Sequence, residues 1–158
     1  MVYDTAWTLP LVTWEENREG RDLMAGEANR QVVAHFWQAM NTNDWRAVGQ
    51  LLHDEYVLAW PQSGERIRGR DNFAAVNEHY PIAGPWRFTV HHLVADDQGA
   101  ASHVTAHAPS VAARVVSFFE VREGKIWRMT EFWPDAFAAE AWRAQWVEQI
   151  ESAPKEAF

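Results

Sequence analysis

The sequence predicts a single α+β domain, and three observations carry that reading. Apolar residues at three-and-four spacing fill the first half, whereas after Pro81 and Pro85 they alternate in short runs separated by turn residues. Helices first and a long meander of strands afterwards lay the helices over one face of a mostly antiparallel sheet. The length, 158 residues of which 47% are hydrophobic, suffices for one core and is too short for two ordinary domains.

Residues 1–24 are polar and irregular around Trp7, Leu9, Leu11, Val12 and Trp14, which reads as an extended N-terminal arm placed to wrap a partner subunit or cover a pocket. A helix is expected over 25–40, where Val32, Val33, Phe36, Trp37 and Met40 share one face. Asn41-Thr42-Asn43 breaks it and offers an N-cap to a short second helix with Trp45, Val48, Leu51 and Leu52 as its buried stripe. The run from Tyr56 to Trp60 is β-rich and stops at Pro61, and Gly69 with Asp71 opens a third helix reaching Tyr80. Four strands follow at 87–94, 101–108, 112–122 and 125–133, joined by the short connections of antiparallel hairpins. Phe137, Trp142, Trp146 and Ile150 have the spacing of a C-terminal helix, so the domain is expected over 25–151 with a tail at 152–158. The sequence holds no internal repeat or low-complexity linker.

The 22 acidic and 14 basic residues give a formal net charge of -8, which repels phosphate backbones and acidic membrane surfaces. Neither nucleic acid nor membrane is an expected partner. With no cysteine, disulfides, thiolate metal ligands and thiol nucleophiles drop out together, in keeping with a cytoplasmic location. The first residues show no basic region followed by an apolar run, and no stretch approaches transmembrane length. Ten tryptophans point to an aromatic-lined cavity, an interface, or both.

Alternation along the last strand puts Lys125, Trp127, Met129, Glu131 and Trp133 on one side. If that side faces a pocket, loss of water raises the Glu131 carboxyl toward the range a general acid or base needs; the plain alternative is a solvent-facing or ion-paired glutamate. His92 shares a side with Phe88, Val90 and Val94 and is the histidine expected inside. His103, Thr105 and His107 form a polar strip facing either solvent or a cavity. His103 and His107 lie about 13 Å apart on a strand rising ~3.3 Å per residue, so one metal ion cannot take both, and no metal is expected. Tyr80 belongs to the apolar face of the third helix, His79 to its C-terminus, and Asp135 reads as an N-cap. The serines lack a nucleophile-elbow context and the glycines lack a phosphate-cradling spacing.

The segments GERIRGRDNF at 64–73 and FFEVREGKIWRMTEFW at 118–133, with the order of elements, resemble SnoaL-like members of the nuclear-transport-factor-2-like superfamily over about 25–151. The resemblance implies a cone, in which a curved sheet wraps the long N-terminal helix around a ligand pocket, and a homodimer. It implies isomerases, dehydratases, polyketide cyclases, epoxide hydrolases and noncatalytic binding domains alike. The stretch from Trp60 to Pro81 and the strand of Glu131 are similar to phenazine-biosynthesis A/B proteins, a likeness that implies His79 and Glu131 as an acid/base pair. Two departures stand beside it. Trp60 before Pro61 holds the place of the ketosteroid isomerases' aspartate, and Thr105 with His107 replaces the Arg and Asp of limonene-epoxide hydrolases.

The expectation is a cofactor-free and metal-free enzyme performing isomerisation, cyclisation or dehydration on a small, largely apolar cyclic substrate. Glu131 would shuttle the proton with His79, His92 or His107 as partner, and Tyr80, Trp37, Trp60, Trp133, His103, Thr105 and Phe119 would line the pocket. A noncatalytic binding or dimerisation domain is the alternative, and an epoxide hydrolase a third.

Overall fold

The computed structural model describes residues 14–150. Helix α1 (Trp14–Met40) leads to a short α2 (Trp45–Gly49), then strands β1 (Leu52–Trp60) and β2 (Glu65–Arg68), helix α3 (Arg70–Glu78), and strands β3 (Arg87–Ala95), β4 (Ala100–Ala108), β5 (Val111–Arg122) and β6 (Lys125–Phe132). The six strands form one open, curved sheet in the order β2-β1-β6-β5-β4-β3. Only β1 and β6 run parallel; every other pair is antiparallel. The α+β reading holds, with α1 and α3 against the concave face.

Helix α1 presents Val33, Phe36, Trp37 and Met40 to the sheet, all buried. Its docking is fixed by polar contacts at the sheet's far edge: Asn29 donates to the Asp96 carbonyl at 2.8 Å and the Arg30 guanidinium to that of Leu93. At the crossing, Gly26 comes so close that a Cβ would stand 3.1 Å from the Asp96 backbone. The β5–β6 hairpin closes through Glu123 (φ 53°) and Gly124 (φ 70°), the two left-handed positions of a tight turn whose twist matches that of the strands.

Several expectations are corrected. Residues 14–24, expected as part of an extended arm, are the first turns of α1. Their polar helix formers continue the helix without an apolar stripe, so hydrophobic periodicity does not register them. Residues 1–13 of that arm and the tail at 152–158 lie outside the described residues. The N-cap of α2 is Asp44, whose carboxylate accepts the Ala47 N–H at 2.9 Å, rather than a residue of 41–43. The C-terminal helix is reduced to a single 3-10 segment, Ala141–Trp146. Phe137, Trp142 and Trp146, the intended buried face, are 78%, 70% and 71% exposed, and without a surface to pack on the apolar spacing has nothing to stabilise a helix.

Two bulges redirect side chains. In β3 the pairing passes from Val90↔Val104 to His92↔His103, leaving His91 without a partner position. An inserted residue inverts the alternation beyond it: Phe88 is buried, Leu93 packs against the core, and His92 lies on the outer, exposed side. In β6 the pairing passes from Val121↔Ile126 to Glu120↔Arg128. Trp127 therefore leaves the row of Met129 and Glu131, and lies beneath the guanidinium groups of Arg128 and Arg122, 4.0 and 4.9 Å from its ring.

Candidate functional site

The concave face of the sheet, α1 and α3 enclose a cavity of about 400 Å³. Its walls are aromatic because each contributing element turns its apolar side inward: Trp37 from α1, Phe73 from α3, Trp60 from β1, Trp86 and Phe88 at the start of β3, and Trp133 after β6. Trp86 and Phe88 stack with centroids 5.9 Å apart, and Tyr80 meets Trp86 edge-on at 5.3 Å. Gln62, Ser63, Asn77 and Asp135 add polar groups.

Glu131 is the buried acid of this cavity, 6% exposed. Strand alternation places it inward with Met129, and register sets Ser117 of β5 directly opposite. One carboxylate oxygen, Oε2, accepts the indole N–H of Trp60 at 2.9 Å and that of Trp133 at 2.7 Å. The other, Oε1, accepts the Ser117 hydroxyl at 3.2 Å. Burial raises the Glu131 carboxyl above its ordinary value, and the hydrogen bonds from Trp60, Trp133 and Ser117 oppose the rise. Tyr56, fully buried beneath, donates to Met129 Sδ at 3.6 Å, and burial reinforced by the Glu131 charge pushes its hydroxyl well up, so it stays neutral. The Tyr80 hydroxyl, also raised by burial, makes no hydrogen bond to the described residues, and the Tyr80 side chain lines the cavity. The site offers one buried carboxyl with a raised proton affinity in a largely aromatic chamber, a second, exposed carboxyl, Asp135, at its border, and a neutral phenol in the wall.

The expected site residues divide cleanly. Glu131, Tyr80, Trp37, Trp60 and Trp133 line the cavity together. Phe119 points inward but belongs to the core, edge-on to Phe36 and Trp37 at 6.0 and 6.3 Å. His79 is exposed at the C-cap of α3, its Nδ1 2.8 Å from the Ala75 carbonyl oxygen, and does not line the cavity. His92, His103, Thr105 and His107 lie on the outer side of the sheet, for the buried row of β4 is Ser102, Val104, Ala106 and Ala108. There His103 contacts the rings of His91 and His92 with centroids 5.1 and 5.9 Å apart, and His91 Nε2 is 2.8 Å from Thr105 Oγ1. Asp135 caps no helix and instead borders the cavity. Among the described residues, no three His, Cys, Asp or Glu side chains are grouped to hold a metal ion. Nor is any described helix long and apolar enough to cross a membrane.

Ser117 and Ser102, set aside in the sequence for want of a nucleophile-elbow context, have a structural role that one signal marked: each interrupts an apolar alternation on the inward side of its strand. Ser102 accepts the Trp37 indole N–H at 3.1 Å.

Solved structures share this architecture. A structure of a candidate ketosteroid isomerase from Kribbella flavida matches with 31% identity and a TM-score of 0.74, over 80% of this chain and 93% of that one. A protein of unknown function from Burkholderia xenovorans, described as like nuclear transport factor 2, matches with 34% identity and a TM-score of 0.65, over 79% and 97%. An epoxide hydrolase from M. tuberculosis shares the fold at 20% identity, with a TM-score of 0.58 over 69% and 84%. Comparison with curated proteins gives no match. The SnoaL-like domain family matches residues 33–129, and the chain belongs to that family, within the nuclear-transport-factor-2-like superfamily.

Proposed function

We propose that the protein is an enzyme of the isomerase, cyclase or lyase type that moves a proton on a small, largely apolar, ring-bearing substrate held in the aromatic cavity. The observation that carries this reading is the placement of Glu131: the buried carboxyl of the chamber, withdrawn from water, at the wall of a space large enough for a fused-ring ligand. Burial brings the carboxyl nearer the pH at which it both takes and returns a proton, which is the requirement for general acid/base work. Glu131 removes a proton from a carbon next to a carbonyl, Tyr80 donates a hydrogen bond to the oxygen that gains charge, and the proton returns at another carbon. Tyr80 thus takes the partner role that the sequence suggested for a histidine. The 31% identical structure described as a candidate ketosteroid isomerase supports the reaction class. A homodimer and a cytoplasmic location accompany this reading as proposals.

The test is a panel of cyclic ketones and polyketide-like phenols in deuterated water, followed by mass spectrometry for exchange or rearrangement. Glu131→Gln, shown to be equally folded, is expected to lose about 10²–10⁴-fold in rate. Equal retention of a ligand by both proteins with no exchange by either would replace the enzyme by a binding domain.

A further inference from the structure

The two oxygens of Glu131 are not equivalent. An ionised carboxylate oxygen offers two lone pairs in its plane, and an indole nitrogen is a donor only. Oε2 receives two indole donors, at 2.9 and 2.7 Å, so both of its lone pairs are taken. Oε1 receives one, the Ser117 hydroxyl at 3.2 Å, and keeps one lone pair open. Each indole is also held by its own strand, and the two strands' ends are tied together through Gln62. Trp60 ends β1, next to Ala59, which pairs with Thr130 of β6. The backbone N–H of Trp133 donates to the Gln62 side chain at 2.6 Å, fixing the ring two residues from the carboxylate it serves.

We propose that Trp60 and Trp133 are positioning residues that close Oε2 to protons and leave Oε1 as the one proton-exchanging atom of Glu131. The inference rests on the proton-transfer reading above and adds a stereochemical content to it: a proton taken and returned at one fixed oxygen leaves and re-enters the same face of the ligand. The other titratable groups near the carboxyl do not compete for it. Tyr56 is engaged with Met129 from below, Tyr80 lines the cavity wall, and Asp135 is exposed at its border.

The test is an NMR titration of the full-length protein labelled with ¹⁵N in the tryptophan indoles and ¹³C in the glutamate carboxyls, without ligand. The Trp60 and Trp133 resonances, identified through Trp60→Phe and Trp133→Phe, are expected to move with the same pH midpoint as the Glu131 carboxyl. The Trp37 indole, bound to Ser102, is expected not to follow it. Each Phe variant is expected to shift the Glu131 midpoint upward, by more than Ser117→Ala does. An indole that ignores the midpoint, or a larger effect of Ser117→Ala than of either Phe variant, overturns the assignment. If a Phe variant does not fold, its indole is identified in the wild-type protein from through-space contacts to neighbouring protons, and the wild-type titration decides. Because no ligand is used, a shared midpoint in a protein that turns nothing over removes the enzymatic reading and keeps the assignment. Turnover without a shared midpoint does the reverse.

Discussion

The side chain of Asn41 is hydrogen-bonded to both backbone polar groups of Phe88: its Oδ1 accepts the Phe88 N–H at 2.7 Å, and its Nδ2 donates to the Phe88 carbonyl at 2.9 Å. Asn43 treats Trp86 in the same way, at 2.8 and 3.0 Å. Strand β3 is a sheet edge, and these amides satisfy its free groups as a neighbouring strand would. They also fix two walls of the cavity to the end of α1. Asn41→Ala leaves partly buried polar groups unpaired and is expected to cost about 2 kcal/mol, read from urea denaturation. Asn41→Asp keeps the acceptor and loses the donor, so a stability equal to wild type would contradict the account.

Glu131→Gln tests the carboxyl through stability as well as rate. Burial, partly opposed by Trp60, Trp133 and Ser117, raises this carboxyl, so the folded chain keeps the proton at pH values where the unfolded chain has released it. The contribution of the group is therefore fully present below the ordinary carboxyl range and is lost as pH rises from that range through the raised value. The variant is expected to match or exceed wild type in stability at neutral pH, with its advantage shrinking as pH falls toward the ordinary range. Denaturation midpoints across a pH series would show it, and an advantage that grows on acidification would refute it.

Two glycines should respond in opposite senses. A Cβ on Gly99 would stand 2.2 Å from the Phe119 carbonyl oxygen, a backbone atom of the neighbouring strand, so Gly99→Ala is expected to cost about 2–3 kcal/mol as β4 is forced from β5. A Cβ on Gly20, within α1, meets nothing within 4 Å. Gly20→Ala is expected to stabilise by up to about 1 kcal/mol. Thermal unfolding of both variants checks the pair, and a neutral Gly99→Ala would show that the two strands have slack at that point.

On the outer side, His103 is held below the ordinary imidazole value by desolvation, then by repulsion from His91, His92 and Arg114. The folded chain takes up this proton at lower pH than the unfolded one, so the group withdraws stability as pH falls below the ordinary imidazole range. His91→Asn is expected to raise the His103 midpoint in a ring-proton NMR titration. An unchanged midpoint would mean that the ring contact carries no repulsion.

The sequence made the inward side of β6 legible because Met129, Glu131 and Trp133 keep strict alternation, and from that side alone the buried acid followed. It made β3 misleading because a bulge is a single unpaired residue, His91, that leaves no mark in hydrophobic periodicity yet turns His92 outward. The same logic failed for the start of α1, whose polar turns carry no stripe to count. Asn41 and Asn43 read as breakers and caps because their partners, Phe88 and Trp86, lie more than forty positions away, a pairing visible only once α1 is laid on the sheet.

Ser102, Ser117 and Glu131 are direct cross-strand partners, and with Trp60 they form one rung crossing four strands at right angles to the chain. Each position of that rung comes from a different stretch of sequence, while the turns and bulges that shape the sheet are written elsewhere; of the four, Ser102 also holds the helix, through the Trp37 indole. Of that rung only Trp60 and Glu131 reach the cavity, so a change at Ser117, buried behind the carboxylate, alters the acid's surroundings without altering the wall a ligand touches. For protein engineering, position 117 is therefore the place to tune the acid while leaving the shape of the chamber unchanged.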